Sequence, residues 1–175
     1  MTDPGGASIH ASAVLVGDRA VLIRGPSGAG KSRLAFDLIL AARAGQIQPA
    51  LLVGDDRVTL EAAQNQLIVK PASALAGLIE IRGLGIRRCD FVAEAIVGLV
   101  VDLCADDAER LPPPEALRTT IARVELPRIP VKADYSPLPL VVASLTTIEG
   151  YAPVRHLNDC SKGIGNHIRP TLATE

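Results

Sequence analysis

The run Gly25-Pro26-Ser27-Gly28-Ala29-Gly30-Lys31-Ser32 constrains this chain more than any other segment. It meets every fixed position of the phosphate-loop pattern G-x-x-x-x-G-K-[ST]. In that pattern the glycines let successive backbone N–H groups converge on one concavity, and the dipole of the following helix adds to the attraction for phosphate. Lys31 is spaced to reach the β- and γ-phosphates of a nucleoside triphosphate, and the Ser32 hydroxyl to ligate magnesium. The flanks agree. An apolar strand precedes the loop, and Lys31–Ala44 sets Leu34, Ala35, Leu38, Ile39 and Ala42 on one face of a helix that Gly45 can stop.

What precedes the loop narrows the scaffold. Ala13–Val16 and Ala20–Arg24 are β-branched runs separated only by Gly17-Asp18-Arg19. A gap that short turns a hairpin, because a parallel crossover needs a dozen or more residues. An antiparallel neighbour directly before the phosphate loop implies a mixed sheet. Leu51–Val53 reads as a brief buried strand, and Val58–Leu60 with Leu67–Val69 as a second hairpin. Ala95–Leu103 is almost wholly apolar, as a central strand covered on both faces would be. Beyond Pro112-Pro113-Pro114, Glu115–Arg123 reads as a short helix. Leu126–Val131 and Leu138–Leu145 contain or adjoin prolines and read as loop or edge strand, up to a late helix or strand near Leu140–Thr147. The residues from 151 to 175 read as a loosely held tail, leaving 8–150 as the catalytic unit.

Composition excludes several partners. A formal net charge of −1 and an aromatic content of 2% offer neither the field nor the stacking surfaces of a nucleic-acid binder. No apolar stretch reaches the ~18 residues of a membrane span, and the start MTDPGGASIHAS lacks the basic and apolar regions of a signal peptide. Cys89, Cys104 and Cys160 show neither even pairing nor Cys-x-x-Cys spacing, so they read as reduced thiols of a cytoplasmic protein.

A phosphate loop needs an acid at a strand end to complete its metal site. Asp55 and Asp56 follow the strand Leu51–Val53, and Asp102 ends Ala95–Val101. On strand character alone Asp102 is the better generic metal-holding acid. The doublet offers one carboxylate near the metal and one free to take a proton from an acceptor hydroxyl. In Glu80-Ile81-Arg82-Gly83-Leu84-Gly85-Ile86-Arg87-Arg88, Glu80 can serve as a second metal ligand and the arginines can offset phosphoryl charge. A solvated charged turn is the commoner meaning of such a string. By spacing alone His10 is an ordinary surface or core histidine, and His156 and His167 receive no role.

With Ile9-His10, the hairpin, Gly25–Ser32, Leu52-Val53-Gly54-Asp55-Asp56 and Glu80-Ile81-Arg82-Gly83-Leu84-Gly85-Ile86 in order, the chain resembles the catalytic domain of HPr kinase/phosphorylase over roughly Ser8 to Leu145. The phosphate loop is shared by many kinds of NTPase; the Asp-Asp doublet followed by E-x-R-G-x-G-I is the specific part. The resemblance implies an α/β mixed-sheet P-loop kinase domain like the nucleotide domain of phosphoenolpyruvate carboxykinase. It implies a protein-serine kinase using ATP and Mg²⁺ on the phosphocarrier HPr, in many members reversed by phosphorolysis, and assembled as a homohexamer. Residue by residue, Asp56 resembles the general base with Asp55 close by, and Lys31 the phosphate-binding lysine. Ser32 and Glu80 resemble the magnesium ligands, His10 the active-site histidine, and Arg82 a group that offsets charge. Short forms that begin near the catalytic core resemble those of alphaproteobacteria. Where the family carries a P-V-R-P-G-R-N-like segment, this chain reads Pro130-Val131-Lys132-Ala133-Asp134-Tyr135 without the arginine, so the kinase direction is the one expected. A small-molecule P-loop kinase and a non-catalytic ATP sensor that binds a regulatory partner are the alternatives. No arginine-rich lid supports the first, and no N-K-x-D motif supports a GTPase.

Overall fold

The computed structural model describes residues 6–148, and the expected tail 151–175 with His156, Cys160 and His167 lies outside them. Ala7–Ile9 (β1), Ser12–Val16 (β2) and Arg19–Arg24 (β3) lead into the phosphate loop, and Lys31–Arg43 (α1) leaves it. Ala50–Gly54 (β4), Val58–Ala63 (β5), Gln66–Pro71 (β6), Leu78–Ile81 (β7) and Gly85–Arg88 (β8) follow. Ala95–Leu103 (β9), Arg118–Ile121 (β10), Val124–Val131 (β11) and Pro137–Thr146 (α2) complete the described elements.

The hairpin expected before the loop is present: β2 and β3 pair antiparallel from Ser12 opposite Ile23 to Val16 opposite Arg19. β3 then lies parallel to β9 on its other side, so the sheet is mixed. β9 is the axis of the molecule. It carries β3 along one edge; on the other, Ala95 and Ile96 pair antiparallel with β6 while residues 100–103 run parallel to β11. The remaining strands extend the order β1-β5-β6-β9-β3-β2-β4.

Each face of this sheet has its own core. On one, α1, α2 and β7 cover Val21, Ile23, Leu99 and Val101, with Leu34, Ala35 and Leu38 of α1 fully buried. On the other, Ala20, Leu22 and Val100 pack against Val58, Leu60, Leu67 and Val69 of the β5–β6 hairpin and Leu126 of β11. The register of β3 against β9 shifts between Ala20 and Val21, where Gly98 is the extra residue. That bulge turns Val97 and Leu99, two apart, to opposite cores. The α1 helix ends as Gly45 predicts. Gly45 has φ +72, its N–H donates to the Ala42 carbonyl, and the Gln46 N–H donates to the Ala41 carbonyl.

The segment after the proline run departs from expectation. Glu115–Arg123 is not a helix: a single 3₁₀ turn spans Pro114–Leu117, and Arg118–Ile121 is strand β10 paired with β11. The β-branched Thr119, Thr120 and Ile121 suit a pleated surface, and the turn Ala122-Arg123 takes positive φ at both residues (47° and 69°), the twist that a tight hairpin needs. β11 itself is the edge strand that its prolines suggested. Residues 124–127 have only β10 as partner and residues 128–131 only β9, so each half keeps one side where a missing N–H is tolerated. The late element is a helix, α2, opened by Pro137 at its first position. Among the described cysteines Cys89 and Cys104 are free thiols, and burial pushes the Cys89 thiol up, away from reactivity. Among the described residues no helix is long and apolar enough to cross a membrane.

Candidate active site

A cleft of about 780 Å³ opens at the exit of β3 and brings together His10, Lys31, Ser32, Asp56, Glu80 and Arg82. The sequence scatters these residues over 73 positions, and four different connections deliver them. His10 sits between β1 and β2, Lys31 and Ser32 open α1, Asp56 follows β4, and Glu80 and Arg82 come from β7 and its turn.

The phosphate loop has the geometry that its pattern requires. Gly28 and Gly30 have φ +80 and +96, and Gly30 is the left-handed residue from which α1 starts. No side chain caps that end of α1, and its first turn carries no acid, so its leading N–H groups are available to an anion. Gly25 is needed for a different reason: a Cβ there would come within 2.9 Å of the Leu103 side chain at the end of β9. The loop is therefore seated on its neighbouring strand. Lys31 is buried, and its ammonium donates to the carbonyls of Gly25 and Pro26, both at 3.0 Å.

The doublet divides into two unlike carboxylates. Asp55 is only 3% exposed; it accepts from the Ser12 hydroxyl at 2.5 Å and from the Glu80 backbone N–H at 3.1 Å. Both of its oxygens are thus engaged, and they pin β4, β2 and β7 to one another beneath the cleft. Asp56 is its opposite, with 65% of its side chain exposed and one oxygen 3.1 Å from His10 Nε2. It occupies a tight turn with φ +65, closed by the Arg57 N–H donating to the Asp55 carbonyl at 2.8 Å. An aspartate in the left-handed region costs on the order of 1 kcal/mol and marks a place where the chain is held for a purpose.

Ser12 is a functional neighbour that sequence reading passes over, because one hydroxyl in an apolar strand carries no signal of its own. Ser12→Ala removes the donor and leaves an Asp55 oxygen unpaired in dry surroundings. The expected loss is about 2 kcal/mol of stability, measured by urea denaturation. A loss below about 0.5 kcal/mol would mean that the carboxylate had found another donor.

Asp102 does not join the cleft, contrary to its reading as a metal-holding acid. Arg24 grips both of its oxygens through Nε at 2.7 Å and Nη2 at 2.8 Å, and Arg128 Nε reaches it at 2.6 Å. Arg128 also holds Asp107 with two further bonds and donates to the Ala116 carbonyl. Burial pushes the Asp102 carboxyl up, but the hydrogen bonds and charges of the two arginines outweigh it and leave the carboxyl below its ordinary range. This network joins the end of β3 to the C-terminal part of β9 and the middle of β11. Nothing in the spacing of Arg24, Asp102, Asp107 and Arg128 announces it.

The cleft offers a hydroxyl and a carboxylate, Ser32 and Glu80, as oxygen donors. That set suits Mg²⁺ shared with phosphate oxygens, since Mg²⁺ takes few protein ligands.

The model of the HPr Serine kinase C-terminal domain family matches residues 5–133. The HPr kinase/phosphorylase of Enterococcus faecalis is 38% identical over 139 residues, which is 71% of this chain and 42% of that protein. The HPr kinase/phosphorylase of Mycoplasma mycoides is 42% identical over 77 residues, 44% of this chain and 22% of that protein. The chain thus spans less than half the length of these curated relatives. Among solved structures, the Hpr(Ser) kinase/phosphatase from Coxiella burnetii is similar with a TM-score of 0.61 and 30% identity, over 79% of this chain and 93% of that one. The mixed-sheet P-loop kinase architecture expected from the sequence is the one found.

Proposed function

The chain belongs to the HPr serine kinase C-terminal domain family, and we propose that it transfers the γ-phosphoryl group of ATP to a serine hydroxyl of HPr or an HPr-like phosphocarrier. The observation that carries this reading is the meeting of an exposed carboxylate, Asp56, with the phosphate-loop residues Lys31 and Ser32 in one cleft.

In this reaction the serine oxygen attacks the γ-phosphorus as the bond to the β-phosphate oxygen breaks, and the serine proton passes to Asp56. His10, 3.1 Å from that carboxylate, orients it. Asp55 is a positioning residue, since its oxygens already accept from Ser12 and Glu80. Lys31 exchanges the Gly25 and Pro26 carbonyls for phosphate oxygens, and the backbone N–H groups of Ser27–Ser32 hold the β-phosphate. Ser32 and Glu80 would hold Mg²⁺, whose chemistry is to neutralise charge on the phosphates. Arg82, on the cleft wall, offsets the charge spreading over the transferring group. Such positioning and electrostatics supply most of the catalysis in phosphoryl transfer.

The proposal extends to a catalytic unit over 8–150, a cytoplasmic setting and a homohexamer, the last read by light scattering. The direct test is transfer of labelled γ-phosphate from Mg-ATP to a serine of purified HPr. ATP binding without transfer to any HPr-like protein would overturn the kinase reading.

A further inference from the structure

The β7–β8 hairpin stands apart from the rest of the fold. It forms its own two-stranded sheet, and among the described residues β8 pairs with β7 alone. Its inner side is anchored, since Ile79 is 2% exposed and packs with Ile81 and Cys89 in the core beside α1. Among the described residues nothing covers its outer side. Every residue of β8 is exposed, with Ile86 at 69%, and Leu84 at the tip is 59% exposed.

Single exposed apolar residues need no explanation, but these two act together. Leu84 in the turn and Ile86, two residues on in β8, stand close in sequence at the free end of the hairpin. The turn displays Leu84 deliberately: Gly83 and Gly85 take φ +84 and +87, and the Leu84 N–H donates to the Ile81 carbonyl at 2.9 Å. A Cβ on either glycine would meet nothing, so they serve the turn's shape and not close packing. Arg82 in the turn and Arg87 and Arg88 in β8 are all exposed; Arg88 shares the strand side of Ile86, while Arg87 lies opposite Ile79 on the other side. With Glu80 as the one acid, residues 78–88 carry a surplus of two positive charges in a chain whose net charge is −1. The patch is continuous with the cleft, because Ile86 is the cross-strand partner of Glu80, and Glu80, Ile81 and Arg82 form the cleft wall.

We propose that the outer face of this hairpin is the docking surface for the folded acceptor protein, which meets Leu84 and Ile86 with an apolar spot and Arg82 and Arg88 with an acidic surround beside its serine. The inference rests on the protein-serine kinase reading and deepens it. A metabolite held in the cleft would leave Leu84 and Ile86 untouched. A protein that presents a hydroxyl to Asp56 must spread its neighbouring surface over the cleft wall, and the hairpin is that wall's continuation. Apolar anchors ringed by arginine are the composition that concentrates binding energy at protein contacts, and the positive rim speeds encounter with an acidic partner.

The test is steady-state transfer from Mg-ATP to HPr by the whole chain and by the double variant Leu84→Ser/Ile86→Ser. Both side chains are in solvent, so the variant keeps the wild-type melting temperature. The expected result is an acceptor KM raised at least about tenfold, with the ATP KM and the kcat at saturating acceptor unchanged. Arg88→Glu, on the strand side of Ile86, should raise the acceptor KM likewise and flatten its dependence on salt. An unaltered acceptor KM in the apolar variant overturns the docking surface alone, and so does a variant whose only change is a smaller oligomer by light scattering, which would make the patch a contact between copies. A wild-type chain that transfers nothing to HPr overturns the kinase reading and the docking surface with it.

Discussion

Asp56→Asn is expected to lower phosphoryl transfer to the acceptor by about two to four orders of magnitude while leaving ATP binding intact. Asparagine keeps the size of the side chain and tolerates the left-handed backbone found at this position, φ +65, so the tight turn survives. What is lost is the capacity to take the serine proton, and with it the carboxylate oxygen that His10 Nε2 meets at 3.1 Å. Single-turnover transfer measured with saturating Mg-ATP isolates that step. A kcat within about threefold of wild type would remove Asp56 from the role of base. The adjacent acid should behave differently. Asp55→Asn acts at a buried junction that receives a hydroxyl and a backbone N–H, so its first consequence is a lowered melting temperature and only then a lost activity.

Asp102→Ala carries the largest expected cost in stability. The substitution leaves the Arg24 and Arg128 guanidinium groups without the carboxylate that neutralises both, in a site where Asp102 is only 16% exposed. Removing one member of a buried ion pair costs about 3–5 kcal/mol. The lower figure is expected here, because Arg24 remains about a third exposed and Arg128 keeps Asp107. A loss of about 3 kcal/mol is a large share of the total stability of a domain and lowers the melting temperature by roughly 6–12 °C in a chain of this size. A loss below about 1 kcal/mol would mean that water already satisfies the pair. The same network gives a sign to the pH dependence. Asp102 is held below its ordinary value of 3.8, so its contribution is complete above that pH. The contribution is lost as the pH falls through the lowered folded value. The wild type should therefore lose stability more steeply below about pH 4 than the alanine variant does.

Local chemistry made much of this molecule readable in advance. The phosphate loop, the two hairpins and the buried strand Ala95–Leu103 each announce themselves within a dozen residues, through glycine spacing, turn length or unbroken apolar character. The prolines of Leu126–Val131 also declared its edge position, whereas Leu138–Leu145 belongs to helix α2, where Pro137 opens the first turn and is no sign of an edge strand. What stayed hidden depends on partners far along the chain. Arg118–Ile121 pairs as a strand only because Val124–Pro127 folds back on it, and its neighbourhood of Glu, Ala, Leu and Arg favours a helix when read locally. By spacing and strand context alone, Asp55 and Asp56 are equivalent. They become unlike because Ser12, 43 positions away, and the backbone of Glu80, 25 positions away, both converge on the first of them. Asp102 carried the signature of a strand-end acid, and the fold spends that signature on Arg24 and Arg128 instead.

The parallel pairing of β3 with β9 has a consequence for synthesis. Arg24 leaves the ribosome 78 residues before Asp102, the carboxylate that anchors it, and β11 follows later still. At translation rates of about 5–20 residues per second, the nascent phosphate loop waits roughly 4–16 s with β2 on one edge of its entry strand and no strand on the other. The loop's helix can form early from local contacts, but the seat beneath Gly25 cannot exist until β9 has emerged. Nucleotide capture is thus a late competence of the growing polypeptide, acquired only after more than half of it has been made.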